Sequence, residues 1–323
     1  MAKPDAQAAS PVKPEVLVVA PIYKPAQEKL EATYTTHSYW SAADRAALIA
    51  EVAPRIDVVV TSGGGAGIQR ALMEKLPALK LIACFSVGLD SVDLVAARER
   101  GIAVTNTPDV LTDDVADLAI GLMLASARRM IAADRFVRAG RWLQGGFPLA
   151  SKASGKRLGI VGMGRIGQTI ARRAAAFDMQ IAWHGPSAKD LPYRFEPRLT
   201  ELARSVDFLV AACPGGAATR ELISREVLTA LGPKGIFVNI SRGSVVDQEA
   251  MVELLVSGQL GGAGLDVFVD EPRVPEELFN LDNVVLQPHQ ASATNETRGA
   301  MAQLVLDNVA AYAAGRPLLT PVS

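Results

Sequence analysis

No excess of either charge marks this sequence. Its 33 Lys and Arg stand against 34 Asp and Glu, a net charge of −1. Nucleic acid and anionic membrane surfaces are therefore excluded as electrostatic partners. Cysteine is scarce. Cys84 and Cys213 lie in separate apolar, strand-like runs, which predicts buried thiols and argues against a disulfide framework. The three histidines, His37, His184 and His289, are scattered, so no metal-ligand spacing exists and no metal is expected. His37 sits among polar residues and reads as a surface side chain. Long hydrophobic runs are missing too. The most apolar segment, residues 115–127, is broken clearly only by Asp117 and Ser126. It is shorter than the roughly 20 residues of a membrane span and reads as a helix buried on all sides, in a core or at a subunit interface. Residues 1–14 are rich in Ala, Pro and Lys, lack the apolar centre of a signal peptide, and read as a flexible tail. These absences predict a soluble, cytoplasmic protein.

What is present is alternation. Apolar strand-like runs at residues 15–20, 57–61, 79–85 and 103–105 each end in a loop of small or polar residues: Pro21, Ser62 to Gly65, Ser86-Val87-Gly88 and Asn106-Thr107-Pro108. Residues 42–50 read as a helix. A second series of strands is expected near residues 158–161, 181–183, 208–212, 235–240, 262–267 and 283–286. Strands alternating with helices predict parallel α/β sheets, with ligands beyond the carboxyl ends of the strands. The expected fold class is α/β, with two doubly wound parallel-sheet domains.

Between the two series stands Gly162-Met163-Gly164-Arg165-Ile166-Gly167. An apolar run precedes it and a helix-like segment, residues 168–177, follows. This strand–turn–helix setting is what a dinucleotide fingerprint requires. Gly162 allows the tight turn, Gly164 the approach of a diphosphate, and Gly167 close packing of helix on strand. Exposed N–H groups at the helix start then hold the anion. Because the fingerprint begins well past residue 100, and residues 295–314 form a last helix able to pack on the first sheet, the nucleotide domain reads as an insertion. The expected boundaries are a substrate domain of residues 15–106 and 296–323 and an NAD(P)-binding domain of residues 107–295.

Three polar residues stand at strand ends in the second series. Arg242 follows Asn239-Ile240-Ser241, where its planar fork suits a carboxylate and neighbouring carbonyl, although an Arg at a strand end is also commonly a surface charge. Glu271 closes an acidic trio with Asp266 and Asp270 that also reads as solvated turn charge. His289 follows Gln287-Pro288 at a strand tip, a position shared by many structural histidines.

The order of motifs decides between these readings. FSVGLDSVDL (85–94), VTNTPDVLTDDVADLAIGL (104–122), GKRLGIVGMGRIG (155–167), NISRGSVVD (239–247), GGAGLDVFVDEP (261–272), QPHQASAT (287–294) and LLTPV (318–322) run in sequence. Together they resemble the D-2-hydroxyacid dehydrogenases, above all the hydroxypyruvate/glyoxylate and hydroxyphenylpyruvate reductase branch, over essentially the whole chain after residue 15. The resemblance implies that Arg242 binds and polarises a 2-keto acid, that His289 is the acid/base, and that Glu271 is its partner. It implies that backbone N–H groups at Val87 and Gly88 hold the substrate carboxylate, with Gly63 lining the pocket. It adds Pro214, Thr219, Ile240 and Asp266 to the fingerprint residues as cofactor contacts. It also implies a homodimer, with residues 115–127 as the dimerising helix. Trp142 falls where related glyoxylate reductases reach toward the partner subunit, and equally reads as a partly buried loop aromatic. Ala291 departs from the glycine common at that place. Asp117 stands where many members have Glu.

An acid near 20 residues past the fingerprint selects NAD by bonding the ribose 2′-hydroxyl. Here the strand ends in His184-Gly185-Pro186-Ser187-Ala188-Lys189, with no acid at the tip. Ser187 and Lys189 suit a 2′-phosphate, so the expected cofactor is NADPH, with NADH possible, although the Arg usual near this point in NADPH-using relatives is missing. The expected activity is reduction of glyoxylate or hydroxypyruvate to a D-2-hydroxy acid, with arylpyruvates as alternative substrates. A reading from another class is a nucleotide-sensing interaction protein resembling the C-terminal-binding corepressors.

Overall fold

A computed structural model describes residues 13–62 and 67–322. In chain order the strands are β1 (Glu15–Val18), β2 (Thr35–Ser38), β3 (Ile56–Thr61), β4 (Leu81–Cys84), β5 (Ala103–Thr105), β6 (Arg157–Val161), β7 (Gln180–His184), β8 (Arg194–Phe195), β9 (Phe208–Ala211), β10 (Ile236–Asn239), β11 (Gly262–Leu265) and β12 (Val284–Leu286). The α-helices are α1 (Lys24–Thr33), α2 (Arg45–Val52), α3 (Arg70–Met73), α4 (Leu94–Glu99), α5 (Thr112–Ala127), α6 (Met130–Arg138), α7 (Arg165–Ala175), α8 (Leu199–Ser205), α9 (Arg225–Leu231), α10 (Gln248–Val256) and α11 (Asn295–Ala313).

The chain forms two compact units. The first comprises Met1–Val110 with Thr294–Ser323, the second Leu111–Ala293. These crossings lie a few residues from the expected 106/107 and 295/296. Local bonding explains the first shift: the Thr107 N–H donates to the Ser86 carbonyl at 2.9 Å, and the Thr297 hydroxyl to the Val110 carbonyl at 3.4 Å. Residues 107–110 thus pack with the first sheet.

The first unit holds a five-stranded sheet in the order β2-β1-β3-β4-β5. Every pairing is parallel. β4 is buried at every position, as expected for a parallel strand covered on both faces. Asp44 caps α2 and Asp93 caps α4, so each helix starts where a side-chain oxygen takes its first N–H groups. His37 corrects the surface reading. On β2 it is 18% exposed, and its Nε2 lies 2.9 Å from Glu15 on β1. The polar run hid an edge strand.

The second unit holds seven parallel strands in the order β12-β11-β10-β9-β6-β7-β8. Strand order reverses between β6 and β9, the switch point at which doubly wound sheets bind nucleotides. Phe208, Phe237 and Trp183 are fully buried in this unit. Truncating such an aromatic to Ala costs about 3–5 kcal/mol. The apolar helix α5 packs on α7, β10 and β11 of its own unit. Gly264 admits it closely: a Cβ there would stand 2.9 Å from Leu122 and 3.1 Å from Ser126. Both cysteines are buried thiols, and burial pushes Cys84 up to about 12. Among the described residues no helix is long and apolar enough to cross a membrane, and no cluster is suited to a metal.

Candidate active site

The fingerprint glycines divide by what surrounds them. Gly162 has φ +97°, and a Cβ on it would stand 2.6 Å from the Cys213 backbone at the end of β9. Here the two strands of the switch point touch. At Gly167 a Cβ would collide with the Gly162 carbonyl, so this glycine lets α7 lie against the turn. Around Gly164 a Cβ would meet nothing within 4 Å. Gly164 is also the N-cap of α7, and no side chain caps that helix. An open backbone at an uncapped helix start fits a diphosphate. Met163 is buried, Arg165 opens α7, and Ile166 is partly covered in its first turn.

β7 ends beside this turn, where the Gly162 N–H donates to the His184 carbonyl at 2.9 Å. The ring Nδ1 of His184 lies 3.0 Å from the Glu196 carbonyl. Ser187 is exposed past the strand tip. Lys189 folds back so that its Nζ donates to the Met163 carbonyl at 2.9 Å. The ammonium therefore sits on the glycine turn itself, a placement its sequence position did not indicate. Beyond β9, the Thr219 hydroxyl donates to the Pro214 carbonyl at 2.7 Å. Ile240 is buried just after β10.

Arg242 follows β10 in a loop held by its neighbours. The Asn239 side chain donates to the Arg242 carbonyl at 3.0 Å and accepts from the Ser241 N–H at 3.0 Å. The Ser241 hydroxyl donates to the Cys213 carbonyl. The Arg242 guanidinium donates through Nη1 to the Ser241 carbonyl at 2.7 Å. Gly243 has no room for a Cβ, which would overlap the Phe268 backbone. This contact seats the Arg242 loop against the segment that carries Glu271. Asn239 and Ser241 escaped the sequence reading. Their signal was an Asn closing the apolar run Ile236-Phe237-Val238, where a side-chain amide suits the bonding of a loop.

Glu271 and His289 meet. His289 Nδ1 lies 2.7 Å from Glu271 Oε2, and the Phe268 N–H donates to Oε1 at 2.9 Å. Burial raises the Glu271 carboxyl, but hydrogen bonds from His289 and Phe268 and the charges of His289 and Arg242 outweigh it, so the net shift is downward. An ionised carboxylate only accepts, so Nδ1 carries the proton and Nε2 is the nitrogen left for other work.

Asp266 shapes the same loop from beneath. It is 0% exposed, and its two oxygens accept the Gln290 and Ala291 N–H groups at 2.6 and 3.0 Å. Its carbonyl accepts the His289 N–H at 2.9 Å. This hold accompanies a left-handed backbone at His289, φ +55°, which a non-glycine residue adopts only when its surroundings require it. Burial pushes the Asp266 carboxyl up, against the pull of those N–H groups.

In the first unit, Val87 and Gly88 form the loop after β4 and are partly exposed. Gly63 lies outside the described residues. Trp142 is not the partly buried aromatic of one reading. It is 68% exposed, and Leu149 nearby is 98% exposed.

Comparison with known proteins extends the geometry. A family model described as D-isomer specific 2-hydroxyacid dehydrogenase, NAD binding domain, matches residues 120–291. Glyoxylate/hydroxypyruvate reductase A of Arabidopsis thaliana is 48% identical over 308 residues, covering 95% of this chain and 98% of its own length. Hydroxyphenylpyruvate reductase of Plectranthus scutellarioides is 49% identical with the same coverage. The crystal structure of the NADPH-dependent glyoxylate/hydroxypyruvate reductase of Sinorhizobium meliloti, in complex with NADP and malonate, matches with a TM-score of 0.90 at 42% identity. It covers 97% of each chain.

Proposed function

The chain belongs to the D-isomer specific 2-hydroxyacid dehydrogenases, and we propose that it reduces small 2-keto acids, glyoxylate and hydroxypyruvate first, to D-2-hydroxy acids with NADPH. It is a nicotinamide-dependent oxidoreductase. The observation that carries the proposal is the His289–Glu271 pair. Glu271 holds Nδ1 and leaves Nε2 to donate a proton.

When bound, the reduced nicotinamide supplies a hydride to the carbonyl carbon. The carbonyl electron pair moves onto oxygen, and His289 Nε2 gives that oxygen its proton, leaving a neutral ring and an alcohol. Glu271 steadies the charged imidazolium beforehand and the ring's orientation throughout. Arg242 places fixed positive charge where negative charge builds on oxygen and grips the substrate with a planar fork. The N–H groups of Val87 and Gly88 take the substrate carboxylate. Gly162, Met163, Gly164, Arg165, Ile166 and Gly167 hold the diphosphate, and Pro214, Thr219, Ile240 and Asp266 complete the cofactor contacts.

NADPH preference is supported by the missing acid at the tip of β7 and by Ser187 and Lys189 beyond it. It also matches the cofactor in the name of the Sinorhizobium relative. A second substrate reading, an arylpyruvate, is favoured by the 49% identity to a hydroxyphenylpyruvate reductase. A homodimer is proposed as well, supported by the exposed apolar side chains of Trp142, Leu143 and Leu149.

A panel of 2-keto acids assayed with NADPH and NADH tests the whole. The proposal expects turnover of glyoxylate and hydroxypyruvate, with kcat/KM higher for NADPH. Turnover of arylpyruvates alone would select the second reading, and a higher kcat/KM for NADH would end the cofactor proposal.

A further inference from the structure

Three carbonyls of the loop after β4 are engaged within the first unit. The Ser86 carbonyl accepts the Thr107 N–H at 2.9 Å. The Val87 carbonyl accepts the side-chain amide of Asn106 at 3.0 Å. The Gly88 carbonyl accepts the Ser86 hydroxyl at 2.8 Å. The N–H groups of Val87 and Gly88, in contrast, have no acceptor among the described residues. A short loop with its carbonyls engaged and adjacent N–H groups open is an anion cradle, because its open positions are all donors.

The Asn106 backbone is itself held by a segment distant in sequence. The Thr320 hydroxyl donates to the Asn106 carbonyl at 2.6 Å and accepts from the Asn308 side chain at 3.0 Å. Asn308 lies on α11, is 1% exposed, and also takes the N–H groups of Leu319 and Thr320 at 2.9 and 3.3 Å. Its remaining amide contact is the Leu304 carbonyl at 2.8 Å. The terminal segment is further tied to β5 by a bridge between Thr105 and Pro321 and by the Val322 N–H on the Val104 carbonyl at 2.8 Å. Asn308, Thr320, Asn106 and Val87 therefore form one continuous polar chain.

We propose that Asn106 and Thr320 are positioning residues for substrate: they hold the Val87 carbonyl and so aim the Gly88 N–H, which shares its peptide plane, at the substrate carboxylate beside the Val87 N–H. The proposal rests on the reading of Val87 and Gly88 as the carboxylate loop. Neither Asn106 nor Thr320 needs to touch the substrate. Their effect passes through one peptide plane, since fixing its carbonyl fixes the N–H of the next residue.

The test uses oxalate, a dicarboxylate without a reducible ketone, titrated into the full-length 15N-labelled protein saturated with oxidised dinucleotide. In the unsubstituted protein the Val87 and Gly88 amide signals shift on binding. Thr320→Val and Asn106→Ala each remove a bond whose loss strands a polar partner. Each should weaken oxalate about tenfold while dinucleotide affinity holds. In turnover the KM for the keto acid rises and kcat stays near its original value, the sign of lost ground-state binding. Thr320→Ser, which keeps the hydroxyl, restores oxalate affinity.

If the Val87 and Gly88 signals shift normally but both variants bind oxalate as the original protein does, the positioning proposal is overturned and the carboxylate loop stands. If those signals stay still while oxalate binds elsewhere, the reading of the loop fails and the proposal falls with it. Spectra disturbed throughout the first unit in both variants would make the network a scaffold of the fold only, and would also overturn it.

Discussion

His289 Nδ1 and Glu271 Oε2 stand 2.7 Å apart, and this single spacing assigns different work to the two ring nitrogens. One is committed to the carboxylate, and the other is available to a ketone oxygen. His289→Gln removes the acid while keeping a polar side chain. Turnover should fall by about 10²–10⁴. Dinucleotide affinity, measured by fluorescence titration, should be nearly unchanged. Unaltered turnover would remove His289 from the proton transfer.

Glu271 and Asp266 lie in the same loop system and shift in opposite directions. Glu271 is lowered in the fold, so its contribution to stability is full above the ordinary carboxylate value and is lost as pH falls through the folded one. Asp266 is raised, so the fold favours its protonated form, and stability falls as pH rises from the ordinary value through the folded one. Urea unfolding from pH 3 to 7 separates them. Glu271→Gln should flatten the acid-side loss. Asp266→Asn, which cannot ionise, should abolish the decline of stability on the side toward pH 7.

Arg242→Lys keeps the charge and loses the fork. Lysine presents a point charge and cannot grip a carboxylate and a carbonyl in one plane. A drop in kcat/KM of about 10²–10³ is expected. A change of less than threefold would show that charge alone suffices.

The fingerprint glycines should respond differently to alanine. Gly162→Ala meets the Cys213 backbone at a left-handed φ. The conformation alone costs about 1–2 kcal/mol, so the melting temperature should fall. Gly164→Ala has open space in the protein, so stability should hold within about 0.5 kcal/mol. Its dinucleotide affinity should weaken about ten- to a hundredfold, because the methyl lies where the diphosphate approaches. Equal losses of stability in both variants would contradict this division.

Lys189→Met tests the cation on the glycine turn. NADPH kcat/KM should fall about tenfold or more, while NADH kcat/KM changes little. An equal fall with both cofactors would reassign Lys189 to holding the Met163 turn.

Most of this was legible where one physical demand dominates a segment. β4 and β9 are apolar throughout because both sheet faces are covered, and such runs show in sequence. The fingerprint showed because two close approaches, at Gly162 and Gly167, each exclude a Cβ. β2 did not show, since Thr35–Ser38 is a polar edge strand whose place is set by its neighbour β1. The same holds for His37, whose partner Glu15 is 22 residues away. Asn239 and Asn106 escaped for a related reason. Each acts through side-chain bonds to backbone groups, and no periodicity records which group a side chain will find.

The bridge between Thr105 and Pro321 also sets a schedule. The first unit is made of two stretches separated by the whole of residues 111–293. During synthesis at about 5–20 residues per second, β5 waits roughly ten to forty seconds for the strand-like segment that flanks it. The second unit is complete before its host. A nascent chain therefore carries a finished dinucleotide fold while the edge of its first sheet is still bare, and the segment around Pro321 closes it.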